Sequence, residues 1–177
     1  MAVLKIRTFG DPVLRQRARE VDRTTDLHRK LVADMFDTMR DAPGVGLAAP
    51  QVGVLERIFV WEIEEDSGVL VNPVIVRRSH DTEEAEEGCL SLPGLAYPVE
   101  RASEVVAEAL DLEGSRQTVE ADGLLARVFQ HEIDHLDGVL FTDRLPDELK
   151  RQALRILRDQ ALGIPTPTTQ TPAEETL

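Results

Sequence analysis

Apolar residues recur at a helical spacing in the N-terminal part of the chain. Leu27, Leu31, Met35 and Met39 lie four residues apart within residues 25–40. Because such positions share one face of a helix, this segment predicts an amphipathic helix that Pro43-Gly44 ends. Residues 124–136 and 147–162 predict two further helices, ended by Gly138 and Gly163.

Residues 57–63 and 69–76 are rich in β-branched and aromatic residues and bounded by turn formers, so each predicts a strand. Residues 105–112 and 117–121 flank Glu113-Gly114 and predict a hairpin. Residues 6–21 contain the turn signal Asp11-Pro12 and predict an irregular segment with one short helical turn. Strands in the middle, with helices set apart from them, predict an α+β fold.

Length and composition favour one globular domain. The chain has 177 residues, of which 42% are hydrophobic and 30% are charged. We expect one folded domain over residues 1–164 and a disordered tail over residues 165–177, which are rich in Thr, Pro and Glu. The net charge of -13 argues against general binding of nucleic acid, so no DNA partner is expected.

Several features favour the cytoplasm. The single cysteine cannot form an internal disulfide, and the N-terminal residues lack the apolar core of a signal peptide. No apolar run approaches the roughly 20 residues that a membrane helix needs. We therefore expect a cytoplasmic protein with no membrane partner.

The pentapeptide His131-Glu132-Ile133-Asp134-His135 lies within the predicted second helix. Its imidazoles are four residues apart, so both face one side of the helix and can bind one metal ion. Glu132, beside the first histidine, is near enough to move protons on a metal-bound water. An ordinary helix with two surface histidines and a solvated acid is the alternative, and the pentapeptide alone favours neither.

A hydrolytic metal site usually needs a third protein ligand. One peptidase class supplies a third histidine after the motif's glycine, but Phe141 occupies that position here. Cys89, the only cysteine, lies in the segment EGCLS, which predicts a tight polar turn. A lone cysteine is usually a small buried apolar residue, yet a turn flanked by glycine favours presentation of a thiolate.

The segment GVGLAAPQ fits the loose dinucleotide-binding pattern through Gly44, Gly46 and Ala49. A helix precedes it where a strand is needed, and Pro50 would break the helix that should follow, so we reject nucleotide binding. Glycines would instead let a substrate backbone approach closely.

The segments GVGLAAPQ, EGCLS and HEIDH, in this order, resemble the motifs of peptide deformylases, and the likeness extends from residue 10 through the C-terminal helix. That family removes the N-formyl group from the initiator methionine of new polypeptides. The resemblance implies small antiparallel or mixed β-sheets around a central metal-binding helix, with an N-terminal and a C-terminal helix. It also implies one divalent ion, Fe(II) in cells or otherwise Zn, Ni or Co, held by Cys89, His131 and His135.

The resemblance implies roles for further residues. Glu132 would be the general base and then the general acid, and the Gln51 side chain and the Leu90 backbone N–H would stabilise the oxyanion. A surface amide is the alternative for Gln51. Glu87 would orient a metal ligand or, as one of a run of acids, be solvated.

Substrate binding follows from the same resemblance. The backbone from Gly44 to Gly46 would form hydrogen bonds with the peptide, which would add to the protein as an extra strand. A pocket for the methionine side chain would be lined by Val45, Leu124 and Val128, for which plain core packing is the alternative. Some family members carry an acid and an arginine where this chain has Pro43 and Ala96, so the groove edge should lack that pair.

The predicted C-terminal helix carries a cluster of basic residues, Lys150, Arg151, Arg155 and Arg158. The resemblance suggests that this cluster docks to the ribosome, where nascent formyl-Met-polypeptides emerge. A solvated helix face is an equally open interpretation. For the whole chain, a zinc peptidase cutting internal peptide bonds and a non-catalytic metal-binding protein are the alternative functions.

Overall fold

The structure is a computed structural model that describes residues 2–164, so the tail predicted at 165–177 lies outside the described residues. Its helices are α1 (Asp26–Asp41), α2 (Gly123–Leu136) and α3 (Asp147–Ala161). Its strands are β1 (Gly46–Ala48), β2 (Ile58–Ile63), β3 (Asp66–Arg78), β4 (Thr82–Gly88), β5 (Ala96–Ala102), β6 (Glu104–Leu110) and β7 (Arg116–Asp122). Short 3₁₀ helices cover Pro12–Arg15, Ala49–Val52 and Phe141–Asp143.

The strands form two separate sheets. A five-stranded sheet has the order β1-β2-β3-β6-β7, and every neighbouring pair in it is antiparallel. Strands β4 and β5 form an antiparallel ribbon of their own. The predicted α+β class is therefore confirmed.

The three predicted helices and four predicted strands are present, although β3 is longer than its prediction. Strands β1, β4 and β5 were not predicted. Four of the seven residues of β4 are glutamates, which have a low intrinsic preference for strands, and only the full-length pairing with β5 makes this segment extended. The turn predicted over EGCLS is therefore partly wrong, because Glu87 and Gly88 end β4 and Cys89 follows the strand.

Helix α2 is central, with residues 126–136 all buried. One of its faces packs on the five-stranded sheet, where the Phe129 ring lies edge-to-face against Phe59 at 5.4 Å and Trp61 at 5.9 Å. Helix α1 packs on β1 and β2, burying Met35 and Met39. The α2 helix also contacts β5 of the ribbon, so it lies between the two sheets.

Helix α3 packs its apolar face, which includes Ile156 and Leu157, into a cluster of buried residues that also contains Cys89 and Phe141. Among the described residues, no helix has the length and hydropathy needed to cross a membrane.

Candidate metal centre

The structure brings together the three side chains that the sequence offers as metal ligands. Each side chain offers one ligand atom: the sulfur of Cys89 and a ring nitrogen of His131 and of His135. These three atoms lie within 4.8 Å of one another, and all three residues are buried. The Cys89 Sγ atom is 3.2 Å from His135 Nε2. Helix α2 supplies both imidazoles from adjacent turns, and the end of β4 delivers the sulfur.

The donor atoms fit a divalent transition-metal ion. His131 Nε2 is buried and has no hydrogen-bond partner among the described residues. A buried polar atom without a partner costs about 1–3 kcal/mol, and coordination of an ion would remove that cost. One thiolate and two imidazoles suit Zn or Fe(II), and surface histidines are excluded by the burial of both rings.

Glu87 lies behind His131 and is fully buried, so the solvated-acid alternative is wrong. Its Oε2 atom is 3.0 Å from His131 Nδ1. Burial alone would raise the pKa of Glu87, but hydrogen bonds from His131 and Arg101 outweigh burial and lower the pKa to about 2. The resulting carboxylate favours a proton on His131 Nδ1, which leaves the Nε2 lone pair available to an ion.

Glu132 is also fully buried, and neither carboxylate oxygen has a hydrogen-bond partner among the described residues. Burial raises the pKa of Glu132 to about 7, with His131 opposing the rise and the charge of Glu87 adding to it. A carboxyl group with such a pKa can both accept and release a proton near neutral pH. A solvated acid at this position is excluded.

Gln51 is fully buried beside Cys89, so the surface-amide alternative is wrong. Its Oε1 atom accepts a hydrogen bond from the Ala48 N–H at 2.7 Å, which fixes the orientation of the amide. Its Nε2 atom then lies 3.3 Å from Ser91 Oγ and 3.8 Å from Cys89 Sγ. The Leu90 backbone N–H donates to no described residue. Two N–H donors therefore flank the cysteine.

The predicted substrate-binding residues divide into two groups. Val45 and Val128 are buried in the main apolar cluster with Phe129, as core packing requires. Leu124, in the first turn of α2, remains 39% exposed. Strand β1, which begins at Gly46, pairs only with β2 and forms one edge of the five-stranded sheet.

The groove edge was expected to lack an ion pair. Pro43 is exposed and Ala96 is half-buried, and neither side chain carries a charge.

Four residues near the centre were given no role from the sequence: Ser91, Arg101, Arg127 and Asp134. Arg101 donates to Glu87 and to Asp134, and Arg127 donates to Glu87. Arg127 lies one helical turn before His131, so the spacing in the sequence could have predicted that the two side chains share a face of the helix. Arg101 carries no local signal, because its partners come from other elements.

The chain is similar to known deformylases over most of its length. The family model described as "Polypeptide deformylase" matches residues 3–151. A peptide deformylase of Acidothermus cellulolyticus is 50% identical over 159 residues, which cover 90% of this chain and 88% of that protein. A peptide deformylase of Parafrankia sp. is 51% identical over 160 residues, or 90% of this chain and 87% of that protein.

Solved structures agree with these matches. A crystal structure of a peptide deformylase from Legionella pneumophila superposes with a TM-score of 0.85 at 44% identity, covering 94% of this chain and all 100% of that one. A peptide deformylase from Ehrlichia chaffeensis in complex with actinonin gives a TM-score of 0.86 at 37% identity, covering 90% and 98% of the two chains.

Proposed function

The chain belongs to the polypeptide deformylase family, and from that membership we propose that it removes the N-formyl group from the N-terminal methionine of newly made polypeptides by metal-dependent hydrolysis. The observation that carries the proposal is the buried cluster of Cys89, His131 and His135 with the unpartnered carboxyl of Glu132 on the same helix. A structural metal site is closed by four protein ligands, whereas here three candidate ligands lie near a carboxyl group that has no hydrogen-bond partner among the described residues.

We propose that Cys89, His131 and His135 hold one divalent ion, which is Fe(II) in cells. The stability order of such complexes favours Zn over Fe(II), so metal availability decides which ion is loaded, and Ni or Co would fit the same ligands. When bound, the ion acts as a Lewis acid that lowers the pKa of water and polarises the formyl oxygen.

The side chains around the ion would move the protons and stabilise charge. Glu132 would accept a proton from the attacking water and deliver it to the departing amine, and its pKa of about 7 suits both directions. The Gln51 amide and the Leu90 N–H would donate to the oxygen that becomes negative. Two observations beside Cys89 support these roles. The orientation of the Gln51 amide is fixed by its bond from Ala48, and the Leu90 N–H has no acceptor among the described residues.

Recognition of the peptide would use the edge strand. An extended peptide can add to β1 at Gly46, since that strand has a neighbour on one side only. The half-exposed Leu124 and the buried Val128 would contact the methionine side chain from α2, with Val45 beside them. The two valines would serve the core as well as the substrate.

Two alternative functions are separated from this one by a single assay. The protein is purified without oxygen, its metal content is measured, and it is offered formyl-Met, acetyl-Met and free Met peptides of the same sequence. A deformylase cleaves only the formylated peptide. Cleavage within the unformylated peptide would favour a zinc peptidase, and no hydrolysis by the metal-loaded protein would favour a non-catalytic metal-binding protein.

The partner would be the nascent chain at the ribosome in the cytoplasm. Helix α3 presents Arg151, Arg155 and Arg158 on its exposed side. Neither Arg151 nor Arg155 forms an ion pair within residues 2–164, whereas Lys150 pairs with Asp143 at 2.9 Å. Exposed guanidinium groups without an ion pair among the described residues suit a phosphate backbone locally, even though the net charge of -13 opposes general binding of nucleic acid. They support ribosome docking through this helix.

A further inference from the structure

The three candidate ligands are divided between two units of the fold. Helix α2 carries both histidines, and the β4–β5 ribbon carries Cys89 immediately after its first strand. The sulfur and the imidazoles are 42 or more residues apart in the chain, so no local geometry fixes their separation. Apolar packing buries the sulfur in a cluster with α3, and side-chain contacts between the ribbon and the helix can set its distance from the imidazoles.

Arg127 makes such contacts from the helix. Its side chain is 7% exposed, and it donates to Glu87 Oε1 at 2.9 Å. The same guanidinium donates to the carbonyl oxygen of Glu83 on β4 at 2.8 Å and to that of Val99 on β5 at 2.8 Å. One planar group therefore ties both strands of the ribbon to α2, one turn before His131.

Arg101 makes the reciprocal contact from the ribbon. From β5 it donates to both carboxylate oxygens of Glu87, at 2.8 and 3.0 Å, and to Asp134 of α2 at 2.7 Å. Glu87 is thus held from both sides, by an arginine of the helix and an arginine of the ribbon, while it orients His131. Arg101 can hold Glu87 alone, but within the described residues only Arg127 bonds the backbones of both strands to the helix.

We propose that Arg127 is a positioning residue of the metal centre, which holds the Cys89-bearing ribbon against the two histidines and so sets the affinity for the ion. The inference rests on the proposed metal-binding role of those three residues. Loss of a group that supports metal ligands typically lowers metal affinity 10- to 100-fold. Replacement of Arg127 by Met keeps most of the buried stem and removes every one of the hydrogen bonds.

The test uses Co(II), whose bond to a thiolate gives a charge-transfer absorption band that reports directly on Cys89. The dissociation constant of Co(II) is measured against a competing chelator for the wild type, Arg127→Met and Arg127→Lys. Arg57→Met is the matched control, because Arg57 is also 7% exposed. It also donates to a carboxylate, that of Asp137, and to two backbone carbonyls, those of Leu136 and Pro73. Within residues 2–164 it has no hydrogen bond or ion pair with the side chain of a candidate ligand.

We expect Arg127→Met to weaken Co(II) binding about 10- to 100-fold and to change the thiolate band. Arg57→Met should lower the melting temperature with the Co(II) affinity and the band unchanged. If Arg127→Met does not fold, the Co(II) affinity and the thiolate band are measured on Arg127→Lys. This variant keeps the charge but loses the planar guanidinium group, so both should change in the same direction.

Wild-type affinity and an unchanged band in the folded Arg127 variant would overturn this inference alone. A wild-type protein that binds no Co(II), or a band that survives Cys89→Ala, would overturn the proposed metal site and the inference with it.

Discussion

Gly46 on β1 lies directly against Glu132 on α2. A Cβ atom on Gly46 would come within 2.5 Å of Glu132 Oε1 and 3.0 Å of Val128 Cγ1. Gly46 does not have a positive φ, so the contact, and not the backbone conformation, requires glycine there. The glycine expected to make room for a substrate backbone therefore also makes room for the proposed general base.

Gly46→Ala should lower the rate of deformylation by more than any loss of folded protein accounts for, because the added methyl group must displace the Glu132 carboxylate. We expect kcat to fall at least ~10-fold, since misplacement of a reacting group by about 1 Å costs up to 10²-fold. Gly114→Ala is the control, as its Cβ meets nothing within 4 Å and its φ of +84° only strains the backbone. If the two variants have equal activity per folded molecule, the contact of Gly46 with Glu132 does not matter for catalysis, and the prediction is wrong.

Glu132→Gln should retain the metal and lose hydrolysis. The amide has the same shape as the carboxyl group but cannot take up a proton, so we expect kcat to fall about 10²- to 10⁴-fold. Metal content and formate release are measured on the same preparation. Glu86→Gln, an exposed change on β4, should behave as the wild type. Substantial activity in Glu132→Gln would show that another group moves the proton.

Gln51→Met should lower kcat by about 10²- to 10³-fold with a smaller change in KM, since the lost amide would act in the transition state. The Ala48 N–H also loses its acceptor, which should cost about 1–3 kcal/mol of unfolding free energy. Kinetics and urea unfolding separate the two effects. A rise in KM with unchanged kcat would mean that Gln51 binds the ground state only.

Asp143 should make the stability depend on acid pH. Burial alone would raise the pKa of Asp143, but hydrogen bonds from the Leu140 amide, Lys150 and Arg15 outweigh burial and hold the pKa below its ordinary value. A lowered pKa in the folded state stabilises the fold at pH values above the unfolded pKa of about 3.9. That contribution is lost as the pH falls through the folded value.

The measurement compares urea unfolding of the wild type and Asp143→Asn across this range. At neutral pH the wild type should be more stable by about 1–2 kcal/mol, because its bonds to charged donors are stronger. The difference should shrink below about pH 4. A difference that is independent of pH would rule out a contribution from the charge.

Replacement of Arg151, Arg155 and Arg158 together by Glu should weaken co-sedimentation with ribosomes and leave hydrolysis of a free formyl-peptide unchanged. The three side chains are exposed, so their reversal should not disturb the core. A matched triple reversal at the exposed Arg17, Arg23 and Arg116 controls for net charge. If both triple variants bind ribosomes alike, docking through α3 is wrong.

The features of the site that depend on local spacing could be predicted from the chain alone. A helix places residues four apart on one face, so the pairing of His131 with His135 and the position of Glu132 beside them followed from the chain alone. The resemblance to the deformylase motifs, and not local spacing, added Cys89 as the third ligand. The spacing of apolar residues predicted the N-terminal helix, and β-branched residues and turn formers predicted four of the five strands of the larger sheet.

The contacts that support the site become apparent only in the folded protein. The sequence left open whether Glu87 orients a metal ligand or is solvated, and the β4–β5 pairing buries it beside Arg101 and His131. The hydrogen bonds of Arg127 to the ribbon and the contact of Gly46 with Glu132 join residues that are 28 or more positions apart. Such contacts depend on which elements pack together, and packing is set by the burial of many side chains at once, which no local pattern in the sequence encodes.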